Sequence, residues 1–368
     1  MTYTQDDFRR ICSKFALYGD FLVAVPFGGG HVNDTFQLTF DQGGVRLHYV
    51  LQRINRNVFR KPEQVMENMD RVTRHLLAKI HAEKVETRKR TIRLLRTFAN
   101  QPCVTDERGD VWRAYIFVEN ARAYDVLETP EQAFKVAQAF GEFQCNLVDL
   151  PGPRLHETIP DFHNTPKRLE ALRQAIRRDP VGRERRVRRE IDFIMKRADE
   201  TERLLRLQAE GAIPERITHN DTKVNNILID DLTGDGICVI DLDTVMPGSS
   251  LYDFGDSIRF GAATAAEDEK DLSKMEMSLD RFRVFTRGYV CACPGLSAKE
   301  LALLPMGAKT MTMECGVRFL TDYLDGDHYF AVHRDGQNLD RARTQFKLVA
   351  DMEKKWDEMR KIVEEEAK

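Results

Sequence analysis

A short stretch in the second half of the chain, ITHNDTKVNNILID, brings together side chains of the types that move a phosphoryl group. Asp221 could orient an attacking hydroxyl and finally accept its proton, which is the task of a general base. Lys223, two residues further on, could place an ammonium against the negative charge of the transferred group. We therefore predict that Asp221 and Lys223 are catalytic residues of a phosphoryl transfer.

The segment that follows supplies oxygen ligands for a magnesium ion. After a turn at DLTGDG, the apolar run ICVI leads to Asp241 and Asp243 in the string IDLDT. Magnesium prefers oxygen ligands, so these carboxylates and the amide of Asn226 could share the ion with nucleotide phosphates. For Asp243, two roles stay open: a direct ligand, or a residue that hydrogen-bonds around the ligands. The sequence predicts a magnesium site at Asn226, Asp241 and Asp243.

The spacing of these residues matches the catalytic loop of protein kinases, H-R-D-x-x-x-x-N, and the metal-binding Asp that follows it. An isolated Asp or Asn near a turn usually caps the turn, but here all the elements occur in the required order. His219 takes the first place of the loop and is expected to support it by hydrogen bonds. Asn220 replaces the Arg, and no A-P-E element follows IDLD, which favours a small acceptor over a protein.

A glycine cluster near the N-terminus, in PFGGGHVNDTF, could bring bare backbone amides close to phosphate. The alternative is a plain hairpin turn, and the position ahead of the catalytic loop favours the nucleotide. The predicted nucleotide-binding glycines are Gly28, Gly29 and Gly30.

Two strands of the N-terminal region also bear on nucleotide binding. YVLQRI aligns with the strand that normally carries a phosphate-binding Lys, but it has Gln52 at that place and Arg53 beside it. Arg53 should face the other way, because neighbours on a strand alternate between faces. The strand YIFVEN, which ends near Glu119, is predicted to be the hinge that pairs with adenine. We therefore assign Gln52 and Glu119 to the nucleotide site.

The elements that must position these residues divide the chain into two parts. Alternating segments and turns predict a small β-rich lobe at residues 1–118, with one helix that begins near Pro62. Beyond residue 120, apolar residues recur at three- and four-residue steps, which predicts helices. We expect a nucleotide-binding lobe at 1–118 and a larger catalytic lobe at 119–368.

Composition argues against several other functions. The net charge of -3 does not favour nucleic acid or an anionic membrane as the main partner, and the run GRERRVRRE is interpreted as the solvated side of a helix. No apolar run reaches membrane-spanning length, and the N-terminal segment lacks the apolar core of a signal peptide. The seven cysteines are scattered, which indicates reduced thiols. We expect a cytoplasmic, monomeric enzyme without nucleic-acid or membrane partners.

Four strings together closely resemble the N-acetylhexosamine 1-kinases, members of the aminoglycoside phosphotransferase and choline kinase-like group. They are GGGHVNDTF, ITHNDTKVNNIL, IDLDTVMPGSSLYDFGDSIRFGA and MECGVRFLTDYLDGDHYF. The resemblance covers nearly the whole chain. It implies an α+β, protein kinase-like bilobal fold with a mainly helical C-terminal lobe. It also implies magnesium- and ATP-dependent phosphorylation of the C-1 hydroxyl of N-acetylglucosamine or N-acetylgalactosamine.

The resemblance also implies a sugar pocket. Sugars favour bidentate polar partners and an aromatic face. Alternatively, Arg318 and Asp322, four residues apart on a predicted helix, form only a surface ion pair, and Tyr329 belongs to the core. The predicted sugar-binding residues are His31, Asn33, Asp34, Arg318, Asp322 and Tyr329.

Two other functions stay open. The acceptor could be an aminoglycoside, choline or another amino alcohol, because the string DYLDGD could offer an acidic pocket to a cation. A catalytically silent nucleotide-binding module is the other, since Gln52 stands where a phosphate-binding Lys is usual.

Overall fold

The N-terminal region is built around a five-stranded antiparallel sheet, in a computed structural model that describes residues 3–28, 32–83 and 89–368. The strands are β1 (Asp20–Pro26), β2 (Asp34–Gln42), β3 (Val45–Ile54), β4 (Val104–Thr105) and β5 (Val111–Ile116). Their order in the sheet is β1-β2-β3-β5-β4. Gly43 and Gly44 form the hairpin turn between β2 and β3, and both have positive φ, at 61° and 91°. Two-residue turns of this kind favour glycine, which has no Cβ to clash.

Two helices, α1 (Gln5–Cys12) and α2 (Pro62–Ala82), accompany this sheet. The helix predicted near Pro62 is confirmed, with Pro62 in its first turn. Val65, Met69 and Val72 are each at most 1% exposed. They share a hydrophobic core with Leu242 and Val245 from the second half of the chain. Helix α2 therefore packs against the segment that carries the predicted magnesium ligands.

The rest of the chain is mainly helical. Its strands are β6 (Ala121–Arg122), β7 (Arg216–Thr218), β8 (Ile227–Asp230), β9 (Gly236–Val239) and β10 (Met246–Gly248). Its helices are α3 (Pro130–Asn146), α4 (Thr165–Arg178), α5 (Arg188–Met195), α6 (Arg203–Ala209), α7 (Ser250–Gly261), α8 (Leu279–Ala292), α9 (Ala298–Asp325), α10 (Gln337–Lys354) and α11 (Trp356–Glu366). Strands β6, β8 and β9 form one small sheet, and β7 pairs with β10. The predicted α+β architecture is confirmed.

The C-terminal run of apolar residues forms two helices, α10 and α11. Its apolar residues are buried or partly buried against the helical core. Lys355 interrupts the run between α10 and α11, with φ -97° and ψ 17°. Its ammonium donates to the backbone oxygen of Met277 over 2.7 Å and pairs with Asp351 over 2.8 Å. These contacts hold the break in place.

Three further predictions concern the surface and the thiols. In the Arg-rich run, Arg185, Arg186, Arg188 and Arg189 are exposed, as expected. All seven cysteines are free thiols. Within the described ranges, no helix is both long enough and apolar enough to cross a bilayer.

Candidate active site

The predicted catalytic loop leaves strand β7 and enters β8 through a short 3-10 turn at Val224–Asn226. Asn220, which stands where protein kinases have Arg, takes the left-handed backbone conformation, with φ 65°. Asn tolerates this conformation better than most other residues. Its side-chain amide donates to the backbone oxygens of Thr244, over 2.9 Å, and Thr218, over 3.1 Å. Asn220 thus joins the loop to the segment that follows the IDLD string.

His219 and Asp253 hold the loop from behind. The Nδ1 of His219 accepts the backbone N–H of Asp221 over 3.3 Å, so Nε2 carries the proton and donates to the Ile240 oxygen over 2.9 Å. The carboxylate of Asp253, on helix α7, accepts the backbone N–H groups of His219 and Asn220 over 2.8 and 2.7 Å. Both side chains support the loop, which for His219 was predicted from the sequence.

Asp221 and Lys223, the predicted catalytic residues, form an ion pair. The ammonium of Lys223 lies 3.1 Å from one carboxylate oxygen of Asp221. Burial alone would raise the pKa of Asp221, but the ammonium of Lys223, which also donates a hydrogen bond to this carboxylate, outweighs burial and lowers that pKa. The carboxylate is therefore ionised at neutral pH, as a base must be.

Two of the predicted magnesium ligands offer free oxygens beside this pair. The amide N–H of Asn226 donates to the backbone oxygen of Asp221 over 2.8 Å, which leaves the amide oxygen without a partner in the described chain. Asp241 follows strand β9 with φ 58°, and no hydrogen bond to another described residue holds its carboxylate. Asp241 is accessible to solvent at its surface. The protein atoms packed around its carboxylate nevertheless desolvate it and raise its pKa to about 6, and the negative charges of Asp243 and Asp221 add to the rise.

This donor set fits magnesium, which binds through a few carboxylate or amide oxygens and keeps water and phosphate as its other ligands. Within residues 3–28, 32–83 and 89–368, no group of three or more His, Cys, Asp or Glu side chains is arranged as a metal site. Asn226 and Asp241 would hold the ion, which would supply positive charge to the phosphates.

Asp243 lies in a different environment from Asp241. It is 2% exposed, and both of its oxygens accept from the guanidinium of Arg113, one of them over 2.9 Å. The amide of Asn33, which was predicted to bind sugar, donates to the same carboxylate. Sequence reasoning missed Arg113. The available signal was an arginine in an otherwise apolar strand, VWRAYI.

Gln52 and Arg53 do face opposite sides of strand β3. The side-chain oxygen of Gln52 accepts two hydrogen bonds from Arg113, over 2.7 and 2.9 Å. Arg53 instead pairs with Asp34, another predicted sugar-binding residue, and with Asp110. Asp34 thus lies on the exposed side of the sheet, with 52% of its side chain accessible.

Other residues predicted to bind nucleotide lie around the sheet. Glu119 follows strand β5 and contacts the Nδ1 of His48 over 2.7 Å. Gly28 has φ 75°, and a Cβ there would have no heavy atom of another described residue within 4 Å, its chain neighbours aside. Gly29, Gly30 and His31 lie outside the described residues.

The predicted sugar-binding residues of the C-terminal region do not form the alternative ion pair. The carboxylate of Asp322 instead accepts the backbone N–H groups of residues 328–330, over 2.8–2.9 Å. It therefore shapes the loop that carries Tyr329, whose side chain is 64% exposed. The guanidinium of Arg318 lies 5.8 Å from the Tyr329 ring and 5.6 Å from the Phe162 ring. Arg318 and Tyr329 are thus neighbours, with Asp322 in a structural role.

A second arginine, Arg168 on helix α4, was missed by sequence reasoning. One of its NH groups donates to the backbone oxygen of Phe162 over 2.8 Å, whereas its buried Nε finds no partner in the described chain. Burial, and then the charge of Arg318, lower the pKa of Arg168. In the described ranges, neither arginine forms an ion pair with a carboxylate.

This arginine pair is connected to the catalytic loop. Glu314, one turn before Arg318 on helix α9, accepts from Thr165 of helix α4 over 2.7 Å and contacts the Nδ1 of His163 over 2.8 Å. The Nε2 of His163 donates to the backbone oxygen of Asn220 over 3.0 Å. Glu314 and His163 therefore link helices α4 and α9, which carry the two arginines, to the residue that precedes the predicted base.

Comparison with known proteins gives one family match and several similar folds. Residues 23–274 match the model of a phosphotransferase enzyme family. An aminoglycoside phosphotransferase from Alicyclobacillus acidocaldarius has a similar structure, with a TM-score of 0.57, 14% identity, and 97% of this chain and 96% of that one covered. A choline kinase from Cryptosporidium parvum has a TM-score of 0.58 and 14% identity, with 96% of this chain and 97% of that one covered. An ethanolamine kinase from Plasmodium vivax has a TM-score of 0.51 and 15% identity, with 84% of this chain and 77% of that one covered. The protein kinase-like fold predicted from the sequence is confirmed.

Proposed function

The chain belongs to the phosphotransferase enzyme family, and we propose on that premise that it transfers the γ-phosphoryl group of ATP to the C-1 hydroxyl of an N-acetylhexosamine. Asp221 accepts the proton of the attacking hydroxyl, and Lys223 stabilises the charge on the transferred group. Asn226 and Asp241 hold the magnesium that bridges the phosphates. The nucleotide lies between the glycine-rich segment around Gly28 and the hinge near Glu119.

The acceptor class rests on one observation, the pair of arginines at positions 168 and 318. Both guanidinium groups are half-buried and form no ion pair among the described residues, and the Nε of Arg168 has no hydrogen-bond partner there, so an oxygen-rich ligand would supply the missing acceptors. Two guanidinium groups repel a cationic acceptor and donate to oxygens, such as the acetamido carbonyl and the ring hydroxyls of a sugar. The rings of Phe162 and Tyr329 offer apolar faces beside them.

The carboxylates of the acidic string DYLDGD, which could have bound a cationic acceptor, already have partners within the protein. Asp322 accepts backbone N–H groups, Asp325 pairs with Arg178 over 2.8 Å, and Asp327 pairs with Arg183 over 2.5 Å. These carboxylates are therefore not available to an ammonium group. This supports a neutral, oxygen-rich acceptor over choline, ethanolamine or an aminoglycoside.

The test is an acceptor panel. The protein, ATP and Mg²⁺ are incubated with N-acetylglucosamine, N-acetylgalactosamine, choline, ethanolamine and an aminoglycoside, and ADP release is measured. Phosphorus NMR then identifies the position of the phosphate in the product. We expect turnover with one or both sugars and phosphate at C-1. Faster turnover of any cationic acceptor would overturn the proposal, and nucleotide binding without turnover on any acceptor would favour the silent module.

Variants of the arginine pair sharpen this test. Arg168→Met and Arg318→Met should each raise the KM for the sugar at least tenfold and leave the KM for ATP nearly unchanged. Arg178→Met is the matched control, because Arg178 lies on the same helix as Arg168 and its partner is the surface residue Asp325. An unchanged sugar KM in both pocket variants would remove the arginines from the acceptor site.

A further inference from the structure

We propose that Asp243 is not a magnesium ligand and that it forms, with Arg113 and Asn33, a largely buried latch that positions strands β2 and β5 against the segment that carries Asp241. The term latch denotes these three side chains, Arg113, Asp243 and Asn33. The inference rests on the proposed use of MgATP and adds positioning residues to that site.

The first argument is the occupancy of the Asp243 carboxylate. One oxygen accepts from Arg113, and the other accepts from both Arg113 and Asn33. Arg113 and Asp243 are 1% and 2% exposed, so water does not replace these bonds easily. A magnesium ion on this carboxylate would lie beside a guanidinium, which repels it. Asp241, two residues earlier, has no such partner in the described chain and is accessible to solvent.

The second argument is where the latch partners come from. Arg113 lies on strand β5, and Asn33 comes directly before strand β2, five residues after Gly28. The side-chain oxygen of Asn33 also accepts the backbone N–H of Asn55 over 2.9 Å. Asp243 lies in the segment between β9 and β10, and its backbone oxygen accepts from Thr158 over 2.8 Å. The latch thus ties two parts of the N-terminal sheet to the segment that carries Asp241.

The third argument is the role of Gln52, the residue that replaces a strand lysine. Gln52 lies directly opposite Arg113 in the sheet, and its amide donates to the Thr35 hydroxyl over 2.9 Å. Because its oxygen accepts two hydrogen bonds from Arg113, Gln52 fixes the guanidinium toward Asp243. A lysine at position 52 would place a second cation against Arg113. The glutamine is therefore consistent with a latch whose cation comes from the neighbouring strand.

The experiment separates positioning from ligation. MgATP binding is measured by calorimetry without acceptor, and the Mg²⁺ concentration for half-maximal activity is measured separately. The variants are Arg113→Met, Arg113→Lys, Asp243→Asn, Asp241→Asn and the double variant Arg113→Met/Asp243→Asn. We expect Arg113→Met and Asp243→Asn to weaken MgATP binding at least tenfold, with Arg113→Lys intermediate. Only Asp241→Asn should raise the Mg²⁺ requirement strongly.

The double variant addresses the risk that Arg113→Met fails to fold. Removing both charges leaves no unpaired buried ion, so its unfolding midpoint should exceed that of Arg113→Met, whereas its MgATP affinity should stay reduced. Wild-type MgATP affinity in the double variant would overturn the latch. A rise in Mg²⁺ requirement for Asp243→Asn equal to that for Asp241→Asn would also overturn it. If no sugar is phosphorylated but these binding changes occur, the proposed function fails and the latch stands.

Discussion

The ammonium of Lys223 lies 3.1 Å from the carboxylate of Asp221 and lowers the pKa of this predicted base. The two residues are separated by one position in the chain, and both side chains retain some access to solvent, at 42% and 23%. A hydroxyl bound beside Asp221 would therefore meet a base and a cation together.

Replacement of Asp221 by Asn should reduce kcat by about 10²–10⁴-fold, because the amide cannot accept the proton of the hydroxyl. MgATP affinity should remain within about threefold of the wild type, because the predicted metal ligands are intact. Steady-state kinetics and calorimetry measure the two effects. Asp325→Asn, at a surface ion pair, is the control. A wild-type kcat in Asp221→Asn would show that another group acts as the base.

Replacement of Lys223 by Met should move the acidic limb of the kcat profile to higher pH. The reason is that Lys223 lowers the pKa of Asp221, so its removal lets that pKa rise. Lys223→Arg keeps the charge and should leave the limb near its wild-type position. The pH dependence of kcat between pH 4 and 9 measures this shift. If kcat falls but the acidic limb stays at its wild-type pH, Lys223 acts on the phosphoryl group and does not set the pKa of the base.

Magnesium activation should weaken as the pH falls below about 6. The pKa of Asp241 in the metal-free protein is raised to about 6, so protons compete with the ion for this carboxylate below that value. The Mg²⁺ concentration for half-maximal activity should rise about tenfold for each pH unit lost. Titrations at pH 5.0, 6.0 and 7.5 test this. If the Mg²⁺ requirement of Asp241→Asn depends on pH as steeply as that of the wild type, another group causes the effect.

Replacement of Gly255 by Ala should destabilise the protein by about 1–3 kcal/mol, because added volume in a packed core displaces its neighbours. A Cβ on Gly255 would lie 2.3 Å from the backbone oxygen of Gly307, where helices α7 and α9 cross. Helix α7 also carries Asp253, so kcat should fall with stability. Urea unfolding measures the change. Gly295→Ala is the matched control, since nothing lies within 4 Å of its Cβ position. Equal stability of the two variants would contradict the close approach.

The chemistry of the catalytic segment could be predicted from the sequence because its geometry is local. His219, Asp221 and Asn226 lie within one loop and one 3-10 turn, so their spacing along the chain sets their spacing in space. The hairpin at Gly43 and Gly44 and the helix from Pro62 are local in the same sense, since turn residues and apolar periodicity act over a few residues.

The partners of these residues depend on the tertiary structure. Arg113 and Asp243 are 130 residues apart in the chain, and no pattern within either segment indicates the other. Arg168 lies near Arg318 only because α4 packs against α9. The carboxylate of Asp322 accepts backbone hydrogen bonds from the loop that follows its helix. By itself the sequence determined which groups carry out the proposed transfer, through short-range spacing. Only the packing of distant elements decided which carboxylate lacks a protein partner in the described chain and which cations would face the proposed acceptor.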